Sequence, residues 1–318
     1  MKKGIELLAT GSALPAKVVT NEDLRRLVDT SDEWIVKRTG IRERRHCVGE
    51  NQFSLAAGAA QAALERSGVD PARVAACIVT TICADNISPS CACLLQRALG
   101  LPEQTVCFDL NGACAGFVYG LQVISGLLTE DRPYGILVSS ETLSRLSDFT
   151  DRSTCVLFGD GAGAAVVGLC DSPYGLCGDF GSRSNREVLY IPSATASEPS
   201  YIHMEGQAVF KFAVDIIPRC IDRVLQQAGL TMDGVDLVVM HQANARIIDH
   251  VAKHLKLPPE KCFKNIARYG NMSSACIPIA LDDLYREGRL SAGMRLLPVG
   301  FGGGLTWGGA LLEVGDIK

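Results

Sequence analysis

Three polar residues stand at the ends of apolar segments, and their types are those of a thiol-based catalytic site. Cys114 lies between two apolar runs, His241 directly follows one, and Asn271 precedes an apolar helical pattern. In open α/β sheets, ligands bind at the carboxyl ends of strands. A cysteine, a histidine and an asparagine are a known catalytic combination: the histidine raises thiolate character or moves a proton, and the asparagine donates a hydrogen bond.

Each of these residues also has an ordinary structural interpretation. Cys114 is one of thirteen cysteines, most of them in apolar segments where cysteine acts as a small hydrophobe. His241 could instead be a strand-terminal histidine that is hydrogen-bonded to the backbone, and Asn271 could be only the N-cap of the helix that follows. The pattern places Cys114 at a strand-to-helix turn, where the helix N-terminus carries about half a positive charge and favours a thiolate. We therefore expect Cys114 to be a reactive thiolate.

Strand and helix patterns alternate along the chain, which predicts an α/β fold with mainly parallel central strands. Residues 155–167 have the pattern of a long strand interrupted by glycines. A helix is predicted over 210–228, where Pro218 should kink it or mark a boundary. Because the alternation occurs twice, two similar halves are expected, roughly 1–170 and 171–318.

Two glycine clusters indicate close backbone contacts rather than a nucleotide site. Residues 300–304, Gly-Phe-Gly-Gly-Gly, lack the Lys-Ser/Thr of a phosphate-binding loop. Their exposed N–H groups suit an oxyanion hole. Residues 159–164 resemble a dinucleotide fingerprint only loosely and are followed by a strand pattern, so a nicotinamide cofactor is not expected.

Composition limits the function classes. The chain has 318 residues, is 47% hydrophobic and carries a formal net charge of −4. The overall field thus gives no reason to expect nucleic-acid binding. The cysteines include no Cys-x-x-Cys pair, which argues against a metal site and a disulfide framework and for a reducing compartment. No apolar run approaches a membrane span, and the basic start lacks the apolar core of a signal peptide, so a cytoplasmic protein is expected.

The segments around these residues resemble the motifs of the β-ketoacyl-acyl-carrier-protein synthase III family. The similarity extends over nearly the whole chain, and five motifs in the family's order are a specific signal. The motifs are Thr30-Ser-Asp-Glu-Trp34-Ile-Val-Lys-Arg38-Thr-Gly-Ile, Asn111-Gly-Ala-Cys114-Ala-Gly, His241-Gln-Ala-Asn244-x-Arg246-Ile, Tyr269-Gly-Asn271-Met-Ser and Gly300-Phe-Gly-Gly-Gly-Leu-Thr-Trp307-Gly.

The resemblance implies an α/β thiolase-like fold of two similar βα halves in five layers, αβαβα, working as a homodimer. It implies condensation of a short acyl-CoA primer, commonly acetyl-CoA, with malonyl-acyl carrier protein. The products are a 3-oxoacyl carrier protein, CO2 and CoA. No cofactor is implied, because acyl-CoA is a substrate.

The resemblance also assigns roles to residues at the motif positions. Cys114 attacks the primer thioester and carries the acyl group. His241 and Asn271 bond the malonyl thioester oxygen and stabilise the enolate formed on decarboxylation. The N–H groups of Cys114 and Gly303 form an oxyanion hole, and Phe301 borders the decarboxylation site.

Further positions are implied in substrate binding. Trp34 and Arg152 would sandwich the adenine of CoA, and the other CoA-binding positions are Thr30, Arg38, Gly206 and Asn244. A carrier-protein docking patch is expected from basic residues, although a solvated basic face is the alternative. Those residues are Lys211, Arg246, Lys253 and Lys256.

The chain departs from the family pattern in two places. Ile87 and Ser88 lie in the segment that shapes the primer pocket across the dimer interface, so primer length and branching stay open. Cys276 is not the usual residue near Asn271, and a packing role is expected for it. The rival functions are a related enzyme of secondary metabolism with another starter or extender, a Cys-His-Asn thioester hydrolase, and a non-catalytic binding module.

Overall fold

The computed structural model describes residues 2–193 and 197–317. The predicted halves also include Met1, residues 194–196 and Lys318, which lie outside the described residues. The strands of the described residues are β1 (Lys2–Ala13), β2 (Lys17–Thr20), β3 (Glu43–His46), β4 (Val74–Thr80), β5 (Val106–Leu110), β6 (Tyr134–Thr142), β7 (Asp160–Ser172), β8 (Gly178–Ser182), β9 (Leu189–Tyr190), β10 (His203–Met204), β11 (Leu237–Met240), β12 (Arg295–Gly302), β13 (Thr306–Ala310) and β14 (Leu312–Val314).

The helices begin at sequence signals of the expected kind. Ser31, Asn51 and Ser90 cap three of them by accepting a backbone N–H. The helices of the described residues are α1 (Asn21–Arg25), α2 (Asp32–Thr39), α3 (Gln52–Ser67), α4 (Cys91–Ala98), α5 (Gly116–Ser125), α6 (Gly206–Ala228), α7 (Ala245–His254), α8 (Ile266–Tyr269) and α9 (Cys276–Arg286). Within residues 2–193 and 197–317, none of them is long and apolar enough to cross a membrane.

Ten strands form one sheet in the order β5-β4-β6-β7-β1-β14-β12-β13-β8, with β11 beside β12. The predicted parallel pairing is present where β4 meets β5 and β6, and where β11 meets β12. By contrast, β7 runs antiparallel to both β6 and β1. It crosses the predicted boundary between the halves, since it continues to Ser172.

Helices α5 and α9 lie between the two parts of the sheet and form the central layer. Helix α5 contacts β4 and β6 on one side and β12 and β13 on the other, and α9 contacts β1 and β7 on one side and β11 and β12 on the other. Helix α3 covers β1, β6 and β7 from outside, and α6 covers β8, β12 and β13. The burial of Phe117, Leu121 and Ile124 in α5, and of Ile277 and Leu281 in α9, explains the position. A helix that is apolar on most sides is stable only when it is covered on most sides. The layers are therefore α, β, α, β, α.

One backbone motif occurs at the start of both central helices. Residues 111–116 and 271–276 each contain a short 3-10 turn, Ala113–Ala115 and Ser273–Ala275, directly before the helix. Ala113 and Ser273, the first turn residues, have positive φ angles of 46° and 50°. In each motif the preceding asparagine accepts a hydrogen bond from that residue's N–H. We call these the Cys114 turn and the Asn271 turn.

The predicted strand over 155–167 is wrong in its first part, because β7 begins only at Asp160. Residues 155–159 are buried but pair with the Asn271 turn instead: the N–H of Asn271 donates to Leu157 O at 2.8 Å, and the N–H of Gly159 donates to Asn271 O at 3.0 Å. The buried Arg44 donates to Val156 O at 2.7 Å. Tertiary partners thus override the local strand pattern.

Pro218 does not mark a boundary, one of the two effects expected of it, since α6 runs from Gly206 to Ala228 through the proline. Proline inside a helix costs about 3 kcal/mol. Ile216, Ile217 and Ile221 on both sides of it are buried against the sheet. Burial of such side chains contributes about 1.5–3 kcal/mol each, which offsets that cost.

A buried carboxylate joins three layers and gives a stability prediction. Asp282 of α9 is inaccessible to solvent and accepts from Thr10 of β1 at 2.9 Å, from Arg66 of α3 at 2.7 Å and from Arg286 at 2.8 Å. Asp282→Ala should lower the free energy of unfolding by about 3 kcal/mol, because it leaves buried donors unpaired. Glu22→Ala, which breaks an exposed ion pair with Arg25, should cost less than about 1 kcal/mol in the same urea titration.

Candidate active site

The end of strand β12 packs directly onto the Cys114 turn. A Cβ added at Gly302 would lie 2.8 Å from Cys114 Cβ and 2.8 Å from its backbone N, and one added at Gly300 would lie 3.0 Å from Ala115 Cα. Real side chains do not tolerate 2.8 Å to backbone, so position 302 requires glycine, whereas a side chain at position 300 would need the Cys114 turn to shift by a few tenths of an ångström. The close backbone approach predicted for residues 300–304 is present.

Cys114 keeps some solvent accessibility, yet protein atoms surround its sulfur on nearly all sides. This burial raises the pKa of the thiol to about 12. The N–H groups of Cys114 and Gly303 and the hydroxyl of Ser273 lower the pKa, whereas the charge of Glu141 raises it. Burial therefore opposes the predicted thiolate, because desolvation disfavours a charged sulfur while the helix terminus favours it, and the reactive thiolate at Cys114 stays a prediction.

His241 follows β11 and is held rigidly. Its N–H donates to Val299 O at 2.8 Å, and the ring of Phe301 packs edge-on at 5.2 Å between centroids. The side chain is 1% exposed, and burial lowers its pKa to about 3. The imidazole is thus neutral at physiological pH, with one ring N–H as a donor. Its Nδ1 has no hydrogen-bond partner in the described structure.

Asn271 is 7% exposed, and its backbone pairs with residues 157 and 159. Its Oδ1 accepts from the N–H of Ser273 at 2.9 Å. This bond assigns the two ends of the amide and leaves the Nδ2 group as the donor. Asn271 is not the N-cap of α9, since that position is held by Ala275.

Strand β12 contacts both Cys114 and His241. Its Val299 holds the backbone of His241, its Phe301 packs on the imidazole, and its Gly302 touches Cys114. The Cys114 turn and the Asn271 turn also pack against each other. The N–H groups of Cys114 and Gly303 act on the buried sulfur, and His241 and the Asn271 turn are held on the elements that pack against it, an arrangement suited to acyl transfer through oxyanions.

A second group of predicted residues gathers around Trp34. The guanidinium carbons of Arg38 and Arg152 lie 5.3 Å and 4.9 Å from its ring centroid. Asn244 donates to the carbonyl of Arg38 at 3.1 Å and connects this group to the start of α7. The Thr30 hydroxyl is buried without a partner. The other predicted position, at the start of α6, is the exposed Gly206.

The predicted basic residues are exposed and lie on adjacent elements. Helices α6 and α7 contact each other, and the Arg246 guanidinium sits 5.9 Å from the ring of Phe210 on α6. The exposed cations are Lys211 on α6, Arg246 and Lys253 on α7, and Lys256 just beyond it.

The predicted primer-pocket residues are separate from this cluster. Ile87 and Ser88 lie between β4 and α4, and both are exposed, Ile87 completely. Cys276 matches its expected packing role, because its buried sulfur accepts from the N–H of Met272 at 3.1 Å.

Sequence reasoning missed Ser273 and Glu141, which both influence the pKa of the Cys114 thiol. Glu141 is the second-last residue of β6 and is inaccessible to solvent. A signal for it existed, since residues 139–142, Ser-Ser-Glu-Thr, are polar and follow an apolar strand at its carboxyl end. For Ser273 there was no comparable signal, because its role depends on a positive φ and on the distant Cys114 turn.

Comparison with known proteins agrees with this geometry. The chain matches the family models "3-Oxoacyl-[acyl-carrier-protein (ACP)] synthase III" over residues 108–181 and the C-terminal model of the same family over residues 225–314. The first match includes Cys114, and the second includes His241 and Asn271.

Individual relatives are similar over nearly their whole length. The β-ketoacyl-[acyl-carrier-protein] synthase III of Clostridium acetobutylicum is 42% identical, with 97% of this chain and 98% of the relative covered. The solved 3-oxoacyl-(acyl carrier protein) synthase III of Pseudomonas aeruginosa is 38% identical, with 99% of each chain covered and a TM-score of 0.93. The solved priming β-ketosynthase of a polyketide biosynthetic pathway is 33% identical over 100% of this chain and 98% of that one, with a TM-score of 0.93. The chain therefore has the thiolase fold and belongs to the 3-oxoacyl-[acyl-carrier-protein] synthase III family.

Proposed function

We propose that this protein is a condensing acyltransferase that joins a short acyl-CoA primer, such as acetyl-CoA, to malonyl-acyl carrier protein and so initiates fatty acid synthesis. The observation that carries the proposal is the contact of β12 with both Cys114 and His241, together with the packing of the Asn271 turn on the Cys114 turn, in a chain of the synthase III family. The synthase III relatives are about 42% identical to this chain, whereas the solved priming β-ketosynthase of a polyketide pathway is 33% identical. This difference favours fatty acid synthesis over a related enzyme of secondary metabolism with another starter.

In the first half-reaction, the sulfur of Cys114 attacks the primer thioester and CoA leaves. The negative charge that develops on the thioester oxygen needs donors fixed in advance. The N–H groups of Cys114 and Gly303 fit this role, since both already lower the pKa of the Cys114 thiol by stabilising negative charge on its sulfur. The Gly302 contact keeps them in place.

In the second half-reaction, malonyl-acyl carrier protein loses CO2 and its carbanion attacks the acyl-Cys114 thioester. His241 and Asn271 donate to the malonyl thioester oxygen while it carries enolate charge. A neutral imidazole suits this step, because it donates without exchanging a proton with solvent. Phe301, packed on that imidazole, excludes water from the decarboxylation site.

CoA recognition is assigned to the Trp34 group. An adenine between Trp34 and Arg152 needs roughly 7 Å, twice a van der Waals contact distance, whereas the guanidinium now lies 4.9 Å from the ring centroid. Arg152 must therefore move outwards when CoA binds, and its exposed bond to Asp29 O permits this. Arg38 and Thr30 flank the nucleotide, and Asn244 and Gly206 line the path of the pantetheine arm.

The active form is proposed to be a cytoplasmic homodimer of subunits with two similar halves, 1–170 and 171–318. Strand β5 ends the sheet order of the described residues, and its Val106 is 47% exposed. Together with the fully exposed Ile87 it offers an apolar edge to a second copy. In the dimer, Ile87 and Ser88 would reach the partner's primer pocket. The thirteen free cysteines support a reducing compartment.

The half-reactions can be separated by substitution. Cys114→Ser should abolish transfer of labelled acetyl groups from acetyl-CoA to the protein. Asn271→Ala and His241→Ala should keep this transfer but lose decarboxylation of malonyl-acyl carrier protein by about 10²–10³-fold, the usual cost of one oxyanion donor. Normal decarboxylation by Asn271→Ala would contradict its role, and thioester hydrolysis without carbon–carbon bond formation would contradict the proposed function.

The neutral His241 predicts an acid-sensitive stability. Below its ordinary value of 6.5 the unfolded chain takes up a proton at this side chain, whereas the folded protein does so only near its pKa of about 3. Stability is thus lost as pH falls, by about 1.4 kcal/mol per pH unit in this window. In urea unfolding between about pH 6 and 4, the free energy of unfolding of His241→Asn should fall by about 1.4 kcal/mol less per pH unit than that of the unsubstituted protein. Parallel pH profiles would show that His241 titrates normally; His46, also buried, is present in both proteins.

The carrier-protein docking patch consists of Lys211, Arg246, Lys253 and Lys256. Arg246→Glu should raise the KM for malonyl-acyl carrier protein by about tenfold and leave primer transfer to Cys114 unchanged, because acidic carriers are attracted by exposed cations. Arg219→Glu is the matched control, since it reverses an exposed arginine of α6 that is paired with Asp215. Equal KM values for the two variants would place docking elsewhere.

A further inference from the structure

The hydroxyl of Thr306 connects the two backbone segments that carry the proposed oxyanion donors. It donates to the carbonyl of Gly303 at 3.0 Å and to the carbonyl of Gly112 at 3.2 Å. Gly112 belongs to the Cys114 turn, and Gly303 begins the short loop between β12 and β13. One side chain is therefore hydrogen-bonded to both sides of the site.

Each of these carbonyls lies one peptide group away from a proposed donor. The carbonyl of Gly112 belongs to the peptide that precedes the peptide of the Cys114 N–H. The carbonyl of Gly303 belongs to the peptide that follows the peptide of the Gly303 N–H. Because peptide groups are planar and neighbouring planes share a Cα atom, fixing one plane restricts the direction of the next. The Thr306 hydroxyl thus restricts where both N–H groups point.

The backbone around Gly303 needs such an anchor. Residues 302–304 are all glycine, the residue with the greatest backbone freedom. The two carbonyls that follow in the loop accept from the N–H groups of Asn185 and Arg183, at 2.8 Å and 2.7 Å. The carbonyl of Gly303 accepts from Thr306 instead. This bond therefore holds the part of the loop that carries the proposed donor.

The glycine contact with Cys114 does not by itself orient these peptides. A Cβ at Gly302 would lie 3.0 Å from the sulfur of Cys114, so the contact sets how closely the two segments approach. Packing of this kind has little directionality, whereas a hydrogen bond weakens steeply when it is misaligned. Oxyanion donors must lie about 2.7–3.1 Å from the position of the developing charge. The hydrogen bonds of Thr306 add the direction that packing does not supply.

The side chain of Thr306 is itself well fixed. Its backbone lies between Gly302 of β12 and Ser182 of β8, its partners in the sheet. The branched Cβ restricts rotation about χ1. Its methyl group packs against the loop, since a Cβ at Gly304 would lie 2.8 Å from Thr306 Cγ2. The single hydroxyl proton is shared between the two carbonyls as a three-centre hydrogen bond.

We propose that Thr306 is a positioning residue for acyl transfer, whose hydroxyl holds the N–H groups of Cys114 and Gly303 in one orientation towards the thioester oxygen. The inference rests on the proposed function, in which these N–H groups form the oxyanion hole. Thr306 acts through the two peptides and not on the substrate. Its effect falls on the transition state of acyl transfer, and neither on CoA binding at the Trp34 group nor on decarboxylation, which uses other donors.

The test compares Thr306→Val, which removes the hydroxyl and keeps the branched shape, with Thr306→Ser, which keeps the hydroxyl. Transfer of labelled acetyl groups to Cys114 is followed in single turnovers over a range of acetyl-CoA concentrations. The limiting rate of Thr306→Val should fall by about tenfold or more, because misplaced donors stabilise the oxyanion less. The acetyl-CoA concentration that gives half of this rate should not change, and Thr306→Ser should keep most of the rate.

Decarboxylation of malonyl-acyl carrier protein provides the second measurement. Thr306→Val should decarboxylate at the unsubstituted rate, which is the reverse of the pattern expected for Asn271→Ala. The matched control is Thr105→Val, which also removes a hydroxyl that donates to a carbonyl, that of Val74 at 3.0 Å. Thr105 precedes β5, whereas the Cys114 turn follows it. The control should therefore lower Tm to a similar extent and leave acyl transfer unchanged.

Three results would overturn the positioning role. The first is acyl transfer by Thr306→Val at the unsubstituted rate, or a loss that appears only as a higher half-saturating concentration of acetyl-CoA. The second is an equal loss in Thr306→Ser, and the third is a parallel loss of decarboxylation, which would indicate a general distortion. Absence of acyl transfer to Cys114 in the unsubstituted protein would instead overturn the proposed function.

Discussion

The active site depends on one backbone-to-backbone contact between distant parts of the chain. Gly302 of β12 lies against Cys114 with no room for a Cβ. This contact fixes the register of β12 relative to the Cys114 turn. Because the same strand holds His241 through Val299 and Phe301, it also fixes the distance between nucleophile and imidazole. Any side chain at position 302 would separate the two halves of the site.

The same close packing sets the electrostatics. Excluding water costs a charged group more than it costs a neutral one, so burial moves the pKa of Cys114 up and that of His241 down. Burial therefore favours the neutral form of both groups. Neutral donors suit a site that stabilises transient oxyanions, because low dielectric strengthens their hydrogen bonds.

The two turns before α5 and α9 show how one local structure supports two tasks. Both place an asparagine before a residue with positive φ, and both point into the central layer. In the Cys114 turn, Asn111 is exposed and the sulfur of Cys114 follows. In the Asn271 turn, the asparagine is itself buried, as are Ser273 and Ser274. The backbone is repeated, but the working side chain sits at a different position in each copy.

The fold class, the strand-to-helix position of Cys114, the strand-end position of His241 and the close backbone approach at residues 300–304 could be predicted from the sequence, because these follow from apolar periodicity and from residue types that act locally. The sequence also carried the motifs of the family. The other features depend on tertiary contacts: the pairing of residues 155–159 with Asn271, the continuity of α6 through Pro218, and the burial that raises the pKa of Cys114 and lowers that of His241. These features arise from burial and from contacts between residues more than a hundred positions apart, which no local pattern encodes.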